Sequence, residues 1–285
     1  MPRHPLTWLD VFADEPLQGN PLAVVHAADD LDEATMLAFA REVGLSETTF
    51  VQAATAPRAD YRNRIFDSRQ ELRFAGHPSL GTAAAVARAR GQHRASYLQQ
   101  TPAGLQPIDV ELDGASGRAS MLLEPAVMGP ELHKVEALAP AGLRAADADP
   151  RLPSQVVSTG VPQVIAPVRD VEALARARPD YPAIQALLDA HEAIVLYLAA
   201  CDPEAGRAQA RAFTHSADMG EDPATGSAAG PLAAYLAQRA GVERLEVRQG
   251  IEMGRPSRLE CSLEADRVRL AGGVAIVAEG TLLLP

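Results

Sequence analysis

Glu47 stands in Leu45-Ser-Glu-Thr-Thr-Phe-Val51, a carboxylate among small hydroxyl residues with apolar residues outside them. Thr48 to Val51 favours a strand, which puts Glu47 at the strand's mouth. Desolvated by Leu45 and Phe50, its carboxyl would have a raised pKa and be available for proton transfer. A surface glutamate at a strand end fits the same spacing. His77 lies between Gly76 and Pro78, in a tight turn ahead of an alanine-rich run. It is a candidate acid/base partner, although a lone histidine is more often a satisfied polar group.

A second turn carries an acidic pair, Glu221-Asp222, followed by Pro223, Gly226 and Ser227-Ala-Ala. Both turns lead into segments that read as buried helices, Ala83 to Gly91 and Ser227 to Gly241, so each carries unpaired N–H groups and partial positive charge. Gly81-Thr82 opens the first helix and Gly226-Ser227 the second, and both openings suit a carboxylate-bearing ligand. Taken singly, Thr82 and Ser227 are also plain helix caps and Glu221-Asp222 a solvated turn. Pro231 falls in the first turn of the second helix, where its missing donor costs nothing.

The elements that hold these turns repeat. Both copies read Pro-x-x-Gly-[Ser/Thr]-Ala-Ala, with Gly81 and Gly226 lying 145 positions apart. Phe66 and Phe213 are 147 apart, and Gly19 of Gly-Asn-Pro is 141 from Gly160 of Gly-Val-Pro. Spacing kept at three places indicates an internal duplication. The chain is then two related domains, 1–124 with 274–285 and 125–273, whose helix openings face a shared cleft. In this alignment Asp222 mirrors His77 and brings an acid towards the imidazole.

Strand-like runs surround the helices: Thr7–Phe12, Pro21–His26, Tyr61–Phe66, then Ser96–Gln100, Leu105–Leu112 and Arg118–Glu124. Asp30 with Glu33 resembles a capping box for a helix ending at Gly44. The Pro- and Ala-rich stretch 125–153 is the candidate domain crossing. Beyond it come Gln155–Ser158, Gln163–Val168, helices near Val171–Arg176 and Ile184–His191, and Ile194–Leu198. The last runs are Leu245–Arg248, Ser257–Leu263, Arg267–Leu270, Val274–Ala278 and Gly280–Leu284. Many short strands about one apolar helix per half predict sheets or barrels wrapped around that helix.

At 285 residues, 47% hydrophobic and 22% charged, the chain has ordinary globular composition and room for two cores. A net charge of −11 with scattered arginines argues against nucleic acid and anionic membranes. No 18-residue apolar run and no signal-peptide core appear, so the cytoplasm is the expected location. The two cysteines, Cys201 and Cys261, lack metal-ligand spacing. His77, His215, Asp218 and Asp222 form no recognised ligand pattern, the lysine of a phosphate loop is absent near Gly220–Ser227, and there is no Gly-x-Ser-x-Gly elbow.

Together these motifs resemble the PhzF family, the phenazine-biosynthesis isomerases and their relatives, over nearly the whole chain. The matching stretches are Asp10-Val-Phe with Gly19-Asn-Pro-Leu-Ala-Val, Leu45 to Val51, Arg64-Ile-Phe, Glu71 to Thr82, Glu221 to Ala228 and Gln249 to Ser257. Arg73 stands where the family pattern has proline. The resemblance implies an α+β fold like that of diaminopimelate epimerase, with two pseudo-symmetric domains, each a barrel-like sheet around a central helix. It also implies an active site between the domains, no cofactor or metal, a small carboxylated substrate and a homodimer. Carried over, Glu47 is the proton shuttle, His77 and Asp222 are polar partners, Gly226-Ser227 holds the substrate and Asn20 lies nearby, with Gly76, Gly81 and Thr82 as further binding positions. The thiol pair of the epimerase relatives is missing from the two turns. The expected activity is a cofactor-free proton shift, similar to that of trans-2,3-dihydro-3-hydroxyanthranilate isomerase. Alternatives are an epimerase or racemase of another small acid, a metal-assisted hydrolase, and a binding protein without catalysis.

Overall fold

In the computed structural model, which describes residues 2–215 and 220–284, the chain divides into two units, Met1–Met121 with Ala271–Pro285 and Leu122–Leu270. The first contains β1 (Arg3–Val11), β2 (Asn20–Val25), α1 (Glu33–Val43), β3 (Thr48–Gln52), β4 (Tyr61–Phe66), β5 (Glu71–Leu72), α2 (Gly76–Ala89), β6 (Arg94–Thr101), β7 (Gly104–Asp113) and β8 (Ser116–Leu122). The second contains β9 (Val127–Leu132), α3 (Lys134–Leu138), β10 (Ser154–Ser158), β11 (Pro162–Val168), α4 (Val171–Arg176) and α5 (Tyr181–Ala190). It continues with β12 (Val195–Asp202), β13 (Arg207–Thr214), β14 (Glu221–Asp222), α6 (Gly226–Ala240), β15 (Arg244–Gln249) and β16 (Ser257–Glu264). The long β17 (Arg267–Leu283) starts in the second unit and ends in the first.

In the first unit β1 pairs antiparallel with β17 and β2, β2 runs parallel to β3, β3 antiparallel to β4, and β4 parallel to β6. The order continues antiparallel through β7 to β8, and β8 pairs with β17 to close the ring. Each parallel pair is bridged by a helix, as parallel neighbours require: α1 links β2 to β3 and α2 links β4 to β6. The whole stretch Gly76–Ala87 of α2 is buried, packed against β1, β2, β3, β4, β6 and β7. Its small residues suit that confinement. A Cβ on Gly81 would lie 2.6 Å from Leu22 Cδ2 and 2.8 Å from Val11 Cγ2.

The second unit repeats the order. β9, β10 and β11 pair antiparallel, β11 and β12 run parallel across α4 and α5, and β12 pairs antiparallel with β13. β13 and β15 are parallel across α6, and β15 pairs antiparallel with β16. α6 is buried through Leu236 except for Ser227 and packs against β10, β11, β15 and β16. An outer apolar layer including Leu138, Leu174, Ile184 and Leu188 covers the opposite face of the sheet. Each unit is thus a barrel-like sheet around a buried central helix, the α+β architecture that the resemblance implied.

Five local expectations are corrected. α2 begins at Gly76, so Gly81 and Thr82 lie inside the helix, where the backbone N–H groups are taken up by the helix itself. α6 begins at Gly226, which makes Pro231 its sixth residue and removes the bond that Ser227 carbonyl would otherwise accept. The cap of α1 is Asp32, whose carboxylate accepts from Thr35 N–H at 2.8 Å, two residues beyond the expected Asp30. The three final runs belong to the single strand β17, because Gly273 serves close packing: a Cβ there would stand 2.2 Å from Ala13 carbonyl oxygen. The stretch 125–153, read as a crossing, forms β9, α3 and two 3-10 turns within the second unit.

Candidate active site

Glu47 immediately precedes β3, and the parallel register Ala23 to Thr48 sets it level with Leu22, two residues along β2 from Asn20. Asn20 is fully buried, and Ser46 Oγ donates to its Oδ1 at 3.3 Å. Gly19 makes that entry possible: its φ of +66° is left-handed, and a Cβ would meet Val11 carbonyl oxygen at 2.3 Å. The second residue of α2, His77, points its ring at the same place, with Nε2 3.5 Å from Glu47 Oε2. Only 6% of the His77 side chain and 14% of the Glu47 side chain are exposed.

Burial pushes the His77 imidazole down to about 3, so the ring is uncharged at neutral pH. The 3.5 Å approach is therefore a polar contact between a carboxyl and a neutral ring, although its geometry falls within salt-bridge distance. A neutral imidazole offers one donor and one acceptor. It can steady the Glu47 carboxyl in either protonation state without adding a positive charge.

The turn before α2 is clamped. Arg64 Nε and Nη2 donate to Glu71 Oε1 and Oε2 at 2.9 and 2.6 Å, and the guanidinium lies 5.2 Å from the Phe66 ring centre. The other unit uses the same device: Arg211 donates twice to Glu221 at 2.8 Å and lies 5.0 Å from Phe213. Planar bidentate pairing fixes the position of each short strand and so the place where each central helix begins.

In the second unit Asp222 lies on β14, paired with Ala212. Thr225 Oγ1 donates to Asp222 Oδ2 at 2.6 Å. Behind them Gln249 is fully buried, with Nε2 donating to Asp222 carbonyl oxygen at 2.7 Å and to Thr225 Oγ1 at 2.9 Å. Its Oε1 accepts from Tyr197 OH at 2.8 Å and from Thr225 N–H at 3.1 Å. Gly226 and the half-buried Ser227 follow as the first residues of α6, where helix geometry leaves N–H groups without intrahelical carbonyls.

The sequence-based residues therefore fall into two groups. Glu47, His77, Asn20 and Gly76 belong to the first unit, and Asp222, Gly226 and Ser227 to the second. Gly81 and Thr82 join neither opening, and Thr82 Oγ1 instead donates to Thr49 Oγ1 at 2.9 Å inside the barrel. Gly76 and Gly226 begin their helices 150 positions apart, so the counterpart of His77 is Ser227 and that of Asp222 is Leu72. The short Gly-[Ser/Thr]-Ala-Ala string matched one turn too late in α2. The carboxylate beside His77 within its own unit is Glu47, a pairing that chain spacing did not reveal.

Thr225 and Gln249 were missed. A signal existed for Gln249, which lies 150 positions after Gln99, the interval that also separates the helix starts. Gln99 Nε2 donates to Ser79 Oγ at 3.0 Å, so both glutamines reach back to the opening of the central helix. Burial pushes the thiols of Cys201 and Cys261 up to about 12, which leaves neither as a ready thiolate. Among the described residues no group of three or more His, Cys, Asp or Glu side chains is placed to hold a metal ion. Asp218 lies outside the described residues. Among the described residues no helix is long and apolar enough to cross a membrane.

The profile of the PhzC-PhzF family, described as phenazine biosynthesis-like protein, matches residues 9–280. The trans-2,3-dihydro-3-hydroxyanthranilate isomerase of Pseudomonas aeruginosa is 36% identical over 291 residues, covering 99% of this chain and all of its own. A solved structure described as a predicted epimerase from the same organism superposes with a TM-score of 0.87 at 35% identity, over 99% of this chain and 100% of that one. The hydroxyproline epimerase of Agrobacterium vitis shares the fold, with a TM-score of 0.67 at 12% identity over 98% of this chain and 92% of its own.

Proposed function

Because the chain belongs to the phenazine biosynthesis-like PhzC-PhzF family, we propose that it is an isomerase that shifts a proton along a small carboxylated substrate, as trans-2,3-dihydro-3-hydroxyanthranilate isomerase does. The observation that carries the reading is the buried approach of Glu47 Oε2 to the uncharged His77 ring at 3.5 Å. Glu47 takes a proton from one carbon and returns it to another on the same face, which needs a single base held close to the substrate. His77 orients that carboxyl, and Asn20 holds the neighbouring Ser46. Asp222 polarises the substrate, and the N–H groups at the opening of α6, Gly226 and Ser227, bind its carboxylate, with Gly76 serving the same purpose at α2.

The reaction proceeds without a cofactor in this reading, since a carboxyl alone balances the proton inventory. Two-base epimerisation through thiols has less support, because Cys201 and Cys261 belong to β12 and β16 and not to the helix-opening turns, and burial pushes both up to about 12. Assembly as a homodimer and residence in the cytoplasm follow from the resemblance and from the charge and hydropathy pattern.

The test is isomerisation of trans-2,3-dihydro-3-hydroxyanthranilate in deuterated water by the wild type and Glu47→Gln, with product deuteration followed by NMR. Glutamine keeps the shape and removes the basic oxygen. The variant should turn over at less than about a hundredth of the wild-type rate, the low end of a general base's contribution, while still binding the substrate. Faster turnover would transfer the role to Asp222.

A further inference from the structure

Gln249 occupies a position from which a neutral side chain dictates the behaviour of a charged one. Its amide is saturated: Oε1 accepts from Tyr197 OH and Thr225 N–H, and Nε2 donates to Asp222 carbonyl oxygen and Thr225 Oγ1. An amide oxygen that already accepts two bonds, and whose neighbouring nitrogen can only donate, has one allowed orientation. The 2.9 Å bond from Nε2 therefore makes Thr225 Oγ1 an acceptor on that side. The single hydroxyl hydrogen of Thr225 is left to point elsewhere, and the 2.6 Å contact shows where: it is donated to Asp222 Oδ2.

From this directional chain, Gln249 to Thr225 to Asp222, we infer that Gln249 is a positioning residue for the reaction, acting through Thr225 to hold Asp222 in one rotamer with one oxygen engaged. The inference rests on the role proposed for Asp222. Two further observations support it. Gln249 is fully buried on β15, so an amide is retained where an apolar residue would otherwise fill the core. The same glutamine also fixes the backbone on both sides of the turn, at Asp222 carbonyl oxygen and Thr225 N–H, the residues immediately before and after Pro223-Ala224. The corresponding Gln99 of the first unit reaches Ser79 Oγ, Tyr61 OH and Asn63 Nδ2, so its bonds go to neutral groups. The engagement of a carboxylate distinguishes the Gln249 network from a repeated folding device.

Three variants separate positioning from structure. Gln249→Glu keeps the oxygen that serves Tyr197 and Thr225 N–H but loses the donors. Thr225→Val keeps the side-chain shape and removes the relay, and Thr225→Ser restores it. With trans-2,3-dihydro-3-hydroxyanthranilate as the assayed substrate, Gln249→Glu and Thr225→Val should each lower kcat by about tenfold or more with KM changed less than about threefold, the loss expected when one hydrogen bond to a charged group goes. Thr225→Ser should stay within about twofold of the wild type. In an Asp222→Asn background Gln249→Glu should cost less than about a further twofold, because the groups act as one unit. Wild-type kcat in Gln249→Glu, or costs that multiply in the double variant, would overturn the inference. A wild-type rate in Asp222→Asn alone would instead overturn the role proposed for Asp222. A crystal structure of Gln249→Glu supplies a readout that needs no turnover: Asp222 Oδ2 should leave Thr225 Oγ1, and a carboxylate still at 2.6 Å would refute the relay even if this substrate is not used.

Discussion

Replacing His77 with glutamine exchanges a buried imidazole for a polar side chain that cannot take up a proton. The imidazole has an ordinary value of 6.5 and is pushed down to about 3 in the fold, with burial as the cause. Between these values the unfolded chain holds a proton that the folded chain refuses, so stability falls as pH is lowered through 6.5 and the loss is complete below about 3. At pH 5 the folded ring is still neutral and the unfolded one mostly charged. The cost over that interval of about one and a half units is about 2 kcal/mol, at about 1.4 kcal/mol per unit. Urea unfolding at pH 8 and pH 5 measures it. Glutamine brings its own packing loss, but that loss is common to both pH values and cancels in the difference. His26, also lowered by burial, is present in both proteins and cancels likewise. The wild type should lose about 2 kcal/mol more than His77→Gln between pH 8 and pH 5. Parallel losses would show that the imidazole is not held neutral, and the description of the Glu47 contact would fall with it.

Gly81→Ala should destabilise the protein by about 1–2 kcal/mol in thermal or urea unfolding. The new methyl meets the fully buried Leu22 and Val11 at 2.6 and 2.8 Å, and overpacking costs of about 1–3 kcal/mol exceed the helix gain of about 1 kcal/mol from replacing glycine. Gly273→Ala should cost more, because the obstacle is Ala13 backbone oxygen at 2.2 Å, which cannot rotate away. Cys201 and Cys261 should resist iodoacetamide at pH 8 in the folded protein and react in urea, as read by mass spectrometry, since a thiol pushed up to about 12 is about one part in ten thousand thiolate at that pH.

Alternation and buried alanine runs make most strands and both central helices legible in the sequence, because those signals are local. What failed was positional. Gly-[Ser/Thr]-Ala-Ala matched across the duplication at an offset of 145, but the helices start 150 apart: Phe66 and Phe213 are 147 apart, and the segment from Phe213 to Glu221 is three residues longer than that from Phe66 to Glu71. A tetrapeptide of small residues fits any turn of a helix packed among strands, whereas the Arg64–Glu71 and Arg211–Glu221 clamps fix the register and require contact to be seen. Glu47 and His77 were singled out separately, and their 3.5 Å approach joins the residue before β3 to the second residue of α2, 30 positions on, which only tertiary contact brings together. Gln249 lies 24 positions from Thr225 and carries no charge, so nothing local marked it. The first two of the three runs near the end of the chain were divided at a glycine pair whose Gly273 permits close packing in β17 instead.

The pairing of β17 with both β1 and β8 has a consequence for synthesis on the ribosome. Translation makes β1 through β8 first, yet the part of β17 that pairs with β1, Val274–Leu283, follows the whole of 122–270. The second unit has its sequence available while the first still lacks its closing strand. During that interval β1 and β8 are open edges, the state in which strands are most prone to pair with a wrong partner. The wait also makes the first unit a late folder, since its ring closes only on contacts separated by most of the chain's length.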